Sequence, residues 1–394
     1  MKILSFCTLL LLSGTFAWAT AAAADEYKLV WEDTFEGAAL DETNTWTIEE
    51  MGDGGNNEYQ RYRRENISVG ADPKSGESCL IITAKKEDYG NYKFTSGRLK
   101  TSGKMAFKYG KIEGRIKLPS TANGLWPAFW MMGDDYSQVG WPKCGEIDIL
   151  EAGDATGIGN GTQDRRFNGW FHWGESWNGG SYPNWGKAGA NAYSIQDDEF
   201  HLFTLIWDKN SMKMYLDLDK DPDKEPYVEM GISGGDGPGQ VGRYFHKPFY
   251  VIFNVAVGGN FTGITGNSNI PKVTALNEAN NYEARMYVDY VRVYQRGDEG
   301  EEFHGKQQNS GLGENCFANN IYSIYPNPVA DNIQIAGGEL PLSISVLSMA
   351  GSVLKEFGAV NSIDVSDLQQ GNYLLRVKTQ DENVEIHRFV KLSK

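Results

Sequence analysis

"WPKCGEIDILEAGD", residues 141–154, sets Glu146, Asp148 and Glu151 among Ile147, Ile149 and Leu150. A run of Ile and Leu between glycines reads as a β-strand rather than a solvated stretch of charge. Residues i and i+2 of a strand share a face, so Glu146 and Asp148 point one way and Ile147 and Ile149 the other. Strict alternation would then turn Glu151 away from its fellow acids. One extra residue after Asp148 corrects the phase, so the spacing predicts a β-bulge that returns Glu151 to the acid face.

The surrounding chain has the same character. "SCLIITAKK", "GKMAFKYGKIEGRIKLP", "HLFTLIWDK", "FYVIFNVAVG" and "ARMYVDYVRVYQ" alternate or run apolar between Gly-, Asn- and Asp-rich turns. Helical periodicity is nearly absent. Many short strands without intervening helices predict an all-β sandwich, and residues 25–296 are long enough for a wide jelly roll.

Outside that span the composition changes. Residues 1–19 carry Lys2, a short apolar run and Ala17-x-Ala19, the pattern of a cleaved secretory signal peptide. Residues 297–320 are polar and Gly/Asn-rich, and are expected to form a linker. Residues 321–394 return to short strands and predict a second, small β-sandwich. Pro326 and Pro328 around Asn327 mark a turn there.

Bulk properties narrow the function. The 394-residue chain has a formal net charge of −15. Without a Lys/Arg cluster, that charge argues against a nucleic-acid partner. No stretch is apolar for the length of a transmembrane helix. Beyond the signal peptide only Cys79, Cys144 and Cys316 remain, too few for a disulfide framework, and no Cys/His spacing suggests zinc. All tryptophans except Trp18 lie between Trp31 and Trp207, clustered beside Gly and Pro at strand ends. Flat aromatic faces at such positions suit stacking on sugar rings.

Three carboxylates on one face have a natural chemistry. Retaining glycoside hydrolysis needs two carboxyl groups about 5–5.5 Å apart, one a nucleophile and the other an acid/base. A third between them raises its neighbours' affinity for protons and can share one with the nucleophile. Spacing alone does not say which glutamate attacks.

"GEIDILE" resembles the catalytic signature of glycoside hydrolase family 16, whose members share a concanavalin-like jelly roll. "WEDTFEG", "NNEYQRY", "FTSGRLKT", "FKYGKIEGRIKLP", "GLWPAFWMMG", "FNVAVGGNFTG" and "YVDYVRVYQ" resemble family blocks in family order. The resemblance implies Glu146 as nucleophile, Asp148 as assisting carboxylate and Glu151 as general acid/base. It implies sugar contacts from Asn57, Glu58, Arg98, Trp126, Trp130, Trp141 and His172, with Asn57 and Glu58 on the non-reducing side of the scissile bond. The bulged spacing is typical of the laminarinase-like branch and of marine galactanases. A structural calcium is implied at Asp289 with carbonyls near Glu36 and Gly70, while the reaction itself needs no cofactor.

"YPNPVADNIQI", "SVLSMAGSVL" and "LQQGNYLLRV" resemble the C-terminal sorting domain of type IX secretion. They imply a partner in the outer-membrane secretion machinery and a secreted or surface location. The expectation is a monomeric endo-β-glucanase acting on laminarin-type or mixed-linkage β-1,3/1,4-glucan. Its competitors are a sulfated-galactan hydrolase, whose cleft would want added Arg and Lys, and a glycan-binding jelly roll without catalysis, which would not need three acids in phase.

Overall fold

The computed structural model describes residues 27–305 and 322–392, except positions 53, 178, 236, 238, 239, 338, 339, 349–352 and 381–383. The expected signal peptide, Cys316 and most of the expected linker lie outside the described residues. The chain divides into two compact units, residues 1–306 and 307–394.

The first unit is a sandwich of a ten-stranded and a nine-stranded sheet. Seven strands of the nine-stranded sheet run, in spatial order, Asn184–Ala190, Arg166–His172, Glu146–Ala152, Leu125–Gly133, Phe249–Val257, Arg98–Lys100 and Thr47–Ile48, with Met105–Lys108 and Glu302–Gly305 off this path. Each strand pairs antiparallel with the next along this path. In the facing sheet, the long Glu283–Gln295 strand lies between Gly110–Lys117 and Ser78–Lys85. The inner faces meet in one core containing Phe129, Met131, Ile147, Phe171, Phe203, Phe253 and Val293.

Phe249–Val257, "FYVIFNVAV", is buried at every position. A run apolar at all but Asn254 is what a strand covered on both faces requires. Its inward residues join the core. Tyr250 and Ile252 instead pack with Ala106, Met132 and Cys144 against Trp130 and Trp141, on the outer face. The nine-stranded sheet therefore has an apolar lining on the side where the acids lie.

The expected linker is corrected at its start. Glu302–Gly305 forms a strand paired with Met105–Lys108. Its polar sequence hides the pairing, because only Phe303 packs against the core. The Gln295 amide fastens the return, donating to the carbonyls of Lys108 (3.1 Å), Tyr109 (3.2 Å) and Glu302 (3.0 Å). Lys108 and Glu302 are ion-paired across the two strands.

The second unit contains a three-stranded sheet (Ser323–Tyr325, Asn332–Ala336, Ser362–Asp364) and a four-stranded sheet (Val353–Phe357, Ser343–Ser348, Gly371–Lys378, Val384–Lys391). Ile333, Ile344, Val346, Val377 and Phe389 form its own core.

A first unit ending at residue 296 is expected to melt roughly 2–4 °C below one ending at 305, the shift that losing about 1 kcal/mol produces at this size. Thermal unfolding of the two truncations compares them, and equal midpoints would mean that the added strand contributes nothing.

Candidate active site

The acid strand is bracketed by Gly145 and Gly153, with φ of +76° and +93°. A Cβ at Gly145 would meet the Tyr244 carbonyl oxygen at 2.7 Å, so the chain turns into the strand where no side chain fits. Along the strand, Glu146 and Asp148 pair with His172 and Trp170 in regular register, and the register then shifts before Glu151 pairs with Asn168. The same shift appears against the Leu125–Gly133 strand, where Trp130 faces Asp148 but Phe129 faces Leu150. Ile149 is the extra residue. Ile149 and Leu150 are both fully buried in the core, and Glu151 returns to the outer face with Glu146 and Asp148. The expected bulge is present, and the Tyr227 hydroxyl donates to the carbonyl of Ile149.

The acids sit in a confined pocket of indoles and an imidazole. Trp126 donates its indole N–H to Glu151 Oε1 at 3.0 Å and stacks on Phe261 at 4.7 Å. His172 Nε2 lies 3.2 Å from Asp148 Oδ2 and 3.9 Å from Glu146 Oε1. The 3.2 Å approach is off the hydrogen-bonding line. Asp148 Oδ2 and His172 Nδ1 are buried without a hydrogen-bond partner among the described residues, while the Trp141 indole N–H lies towards Glu146. Such atoms cost stability unless something satisfies them, and a polyhydroxylated ligand can. Tyr182 packs edge-on against Trp141 at 4.7 Å and lies 5.6 Å from His172.

Burial dominates the electrostatics. It pushes the Glu146 carboxyl up to about 8, with Asp148 adding to the rise and His172 and Arg98 opposing it. Asp148 and Glu151 are held well above the usual carboxylate range, again by burial first, and Asp148 adds to the effect on Glu151. The three acids share their protons as one group. The trio favours retaining protons at neutral pH, which suits a general acid.

The other expected contacts divide into two groups. Trp126, Trp130, Trp141 and His172 surround the acids. Asn57 and Glu58 lie farther along, near the end of the Phe249–Val257 strand. Glu58 bridges to Gly258, and Asn57 donates to Asn260 Oδ1 at 2.9 Å. A hydrogen-bond chain joins the groups: Trp130 N–H to Asn254 Oδ1 (2.8 Å), Asn254 amide to Tyr62 Oη (3.2 Å), Tyr62 hydroxyl to Glu58 Oε2 (3.2 Å). Arg98 is committed within the protein. Its Nε donates to Glu49 at 2.6 Å, and its guanidinium lies 4.9 Å from the Trp130 ring centre, where it orients that indole.

Asp289, Glu36 and Gly70 are remote from the acids. Asp289 lies in the Glu283–Gln295 strand and Gly70 in Ile67–Ala71, both of the facing sheet, while Glu36 is exposed outside any strand. Asp289 accepts from Arg115 at 2.6 Å, and the same guanidinium nitrogen reaches Glu77 at 2.8 Å. As arranged, this carboxylate is matched to a guanidinium and does not fit a calcium ion. The side chains that do converge to metal-ligand spacing are Glu146, Asp148 and His172, whose ligand atoms lie within 4.8 Å of one another. They could coordinate an ion, and they belong to the acid face itself.

Asn254, Tyr62, Tyr182, Trp170 and Tyr227 were not anticipated from the sequence. Asn254 had a visible signal, as the lone polar residue in "FYVIFNVAV". Tyr62 and Tyr227 had none, because their roles exist only between segments far apart in the sequence.

Comparison with known proteins places this arrangement. Residues 56–222 match Glycosyl hydrolases family 16. A Beta-glucanase from Rhodothermus marinus is 31% identical over 278 residues, covering 69% of this chain and 86% of that protein. The chain belongs to glycoside hydrolase family 16. A solved family 16 structure from Bacteroides ovatus, described as a mixed linkage glucan enzyme with its G4G4G3G product, is 38% identical. It superposes with a TM-score of 0.57 and covers 67% of this chain and 100% of that one. The family 16 chain also resembles the Clotting factor G alpha subunit of Tachypleus tridentatus, 36% identical over 68% of this chain, but spans only 34% of that protein's length. Residues 323–391 match the secretion system C-terminal sorting domain, which marks the protein for export across the outer membrane.

The raised proton affinity of Glu146 has a consequence for stability. Its folded value, about 8, exceeds the ordinary 4.5, so the folded state keeps a proton that the unfolded chain releases between those values. This group's contribution to stability is therefore fully present at and below pH 4.5 and is lost as pH rises towards 8. Glu146→Gln, uncharged throughout, is expected to raise the melting temperature by several degrees at the upper end of this window and hardly at all at the lower. An equal shift at both ends would rule out burial of the charge as the cause.

Proposed function

We propose that the protein is a secreted, retaining endo-β-glucanase that cleaves β-1,3-glucosidic bonds in laminarin-type or mixed-linkage β-1,3/1,4-glucans. The observation that carries this is the bulged strand, with three buried acids on one face amid indoles and unpaired polar atoms. A neutral polysaccharide is consistent with a cleft whose cation Arg98 is held by Glu49. The named activities of the Rhodothermus and Bacteroides relatives point the same way.

In the proposed mechanism, Glu146 attacks the anomeric carbon as Glu151 protonates the departing glycosidic oxygen. The carbon–oxygen bond breaks and a glycosyl ester to Glu146 forms. Glu151, now a carboxylate, takes a proton from water, whose oxygen attacks the same carbon and releases Glu146. Asp148 can hold a proton beside Glu146, so that the nucleophile need not be buried as one of three charges. His172 and Arg98 add positive potential that favours Glu146 as the anion. The indole N–H of Trp126 orients Glu151. A calcium at Asp289 with the carbonyls of Glu36 and Gly70 is not part of this proposal, since binding there would require Arg115 to release Asp289.

The substrate class is tested by product analysis on laminarin, barley glucan, agarose and carrageenan. Laminarin or barley glucan should yield oligosaccharides. Cleavage confined to the galactans would overturn the assignment, as would wild-type protein that binds glucan and cleaves nothing.

The two glutamates are distinguished by chemical rescue. Glu151→Ala is expected to lose nearly all turnover of natural glucan but to keep slow glycosylation by an activated aryl β-glucoside. Azide, which needs no base, should restore turnover and release the β-glycosyl azide. Rescue of Glu146→Ala to the α-azide, with Glu151→Ala unmoved, would reverse the two roles.

A further inference from the structure

Asn184–Ala190 is the edge strand of the nine-stranded sheet, beyond Arg166–His172 as seen from the acids. On the acid side it presents Asn184, Gly186, Ala188 and Ala190, opposite His172, Trp170, Asn168 and Arg166. Trp170 also pairs with Asp148 on its other flank, so its side chain projects from the same face as the catalytic acids.

The ring lies across Gly186. A Cβ at that glycine would fall 2.3 Å from ring atom Cδ2, so any larger residue would lift the indole off the strand. The indole N–H donates to Asn184 Oδ1 at 3.1 Å, and the Asn184 amide is itself held by the Tyr182 carbonyl at 3.1 Å. His172 flanks the ring at 6.5 Å with planes 26° apart. One indole face is therefore packed on backbone, the heteroatom is satisfied, and the half-buried ring turns its other face outward. A core tryptophan would be covered on both faces, as Trp46 and Trp207 are.

We propose that Trp170 is a sugar-stacking platform for the leaving-group side of the glucan chain. It lies one to two strand spacings, about 5–10 Å, from the acid strand, on the side away from Trp130, Asn254 and Glu58. This assignment of direction rests on the function proposed above, in which Asn57 and Glu58 hold the non-reducing side. The apolar C–H face of a glucosyl ring covers the exposed indole face, and the short residues of the edge strand leave room beside it. Asn168 and Asn184 offer amides to its hydroxyls.

Two substrate types separate this role from a structural one. Unmodified β-glucan oligosaccharides of increasing length place sugars on both sides of the cleaved bond. An aryl glycoside of the same non-reducing portion places none beyond it. In the full-length protein, Trp170→Ala is expected to lower kcat/KM on long oligosaccharides about tenfold more than on the aryl glycoside. Trp170→Phe, which keeps a flat face but not the N–H, should recover most of that difference. Equal losses on both substrates, or no added loss on long chains, would overturn the platform. Should the wild type cleave neither substrate, the proposed activity fails at that step, before any variant is compared.

Discussion

The site depends on a single β-bulge in the acid strand. Without the bulge at Ile149, the acid strand would alternate regularly and deliver Glu151 into the apolar core, where a carboxylate has neither water nor a partner. With it, Ile149 and Leu150 both fill the core and three acids share the outer face. A bulge leaves a backbone group outside the ladder, and an unpaired buried carbonyl is costly. Tyr227, just ahead of the Val228–Gly231 strand of the facing sheet, supplies a hydroxyl to that carbonyl. Its ring packs edge-on against Phe167 at 4.6 Å, and Gly169 leaves the space it occupies. The active face is thus stabilised from behind, through the sandwich.

Burying three acids together opposes folding at neutral pH, and the rest of the sandwich must offset it. The offset comes from the apolar core and from the second apolar layer on the outer face, where Tyr250, Ile252, Met132 and Cys144 surround the indoles. That layer also excludes water from the acids, which strengthens their mutual influence and that of His172. Stability and chemistry pull in opposite directions at these residues, as is common where function requires shifted proton affinities.

A second connection joins strands of the two sheets on the outer face, at the far end of the cleft. Gln60–Tyr62 belongs to the facing sheet and Phe249–Val257 to the acid-bearing one. Tyr62, fully buried, accepts from Asn254 and donates to Glu58, while Asn254 receives the Trp130 indole. The orientation of an indole beside the acids is thereby coupled to the loop that carries Asn57 and Glu58. Substituting Trp130 or Glu58 alone would leave buried amide or hydroxyl groups unpaired, so the chain behaves as one unit.

The sequence by itself determined the all-β class, the acid face and the need for a bulge, because a period of two leaves no other way to bring Glu151 into phase. It marked the tryptophans around the acids through their setting beside Gly and Pro. It misjudged residues 302–305, whose polar side chains conceal a strand secured by Gln295 and one apolar contact, and it offered calcium to an aspartate that Arg115 holds. Only the tertiary structure decided what supports the bulge, what Arg98 pairs with, and which face of Trp170 is open. Strand period is a local property, set by backbone geometry. Hydrogen bonds between residues such as Tyr227 and Ile149, or Tyr62 and Asn254, arise only when two sheets are stacked, and nothing in either segment alone encodes its partner.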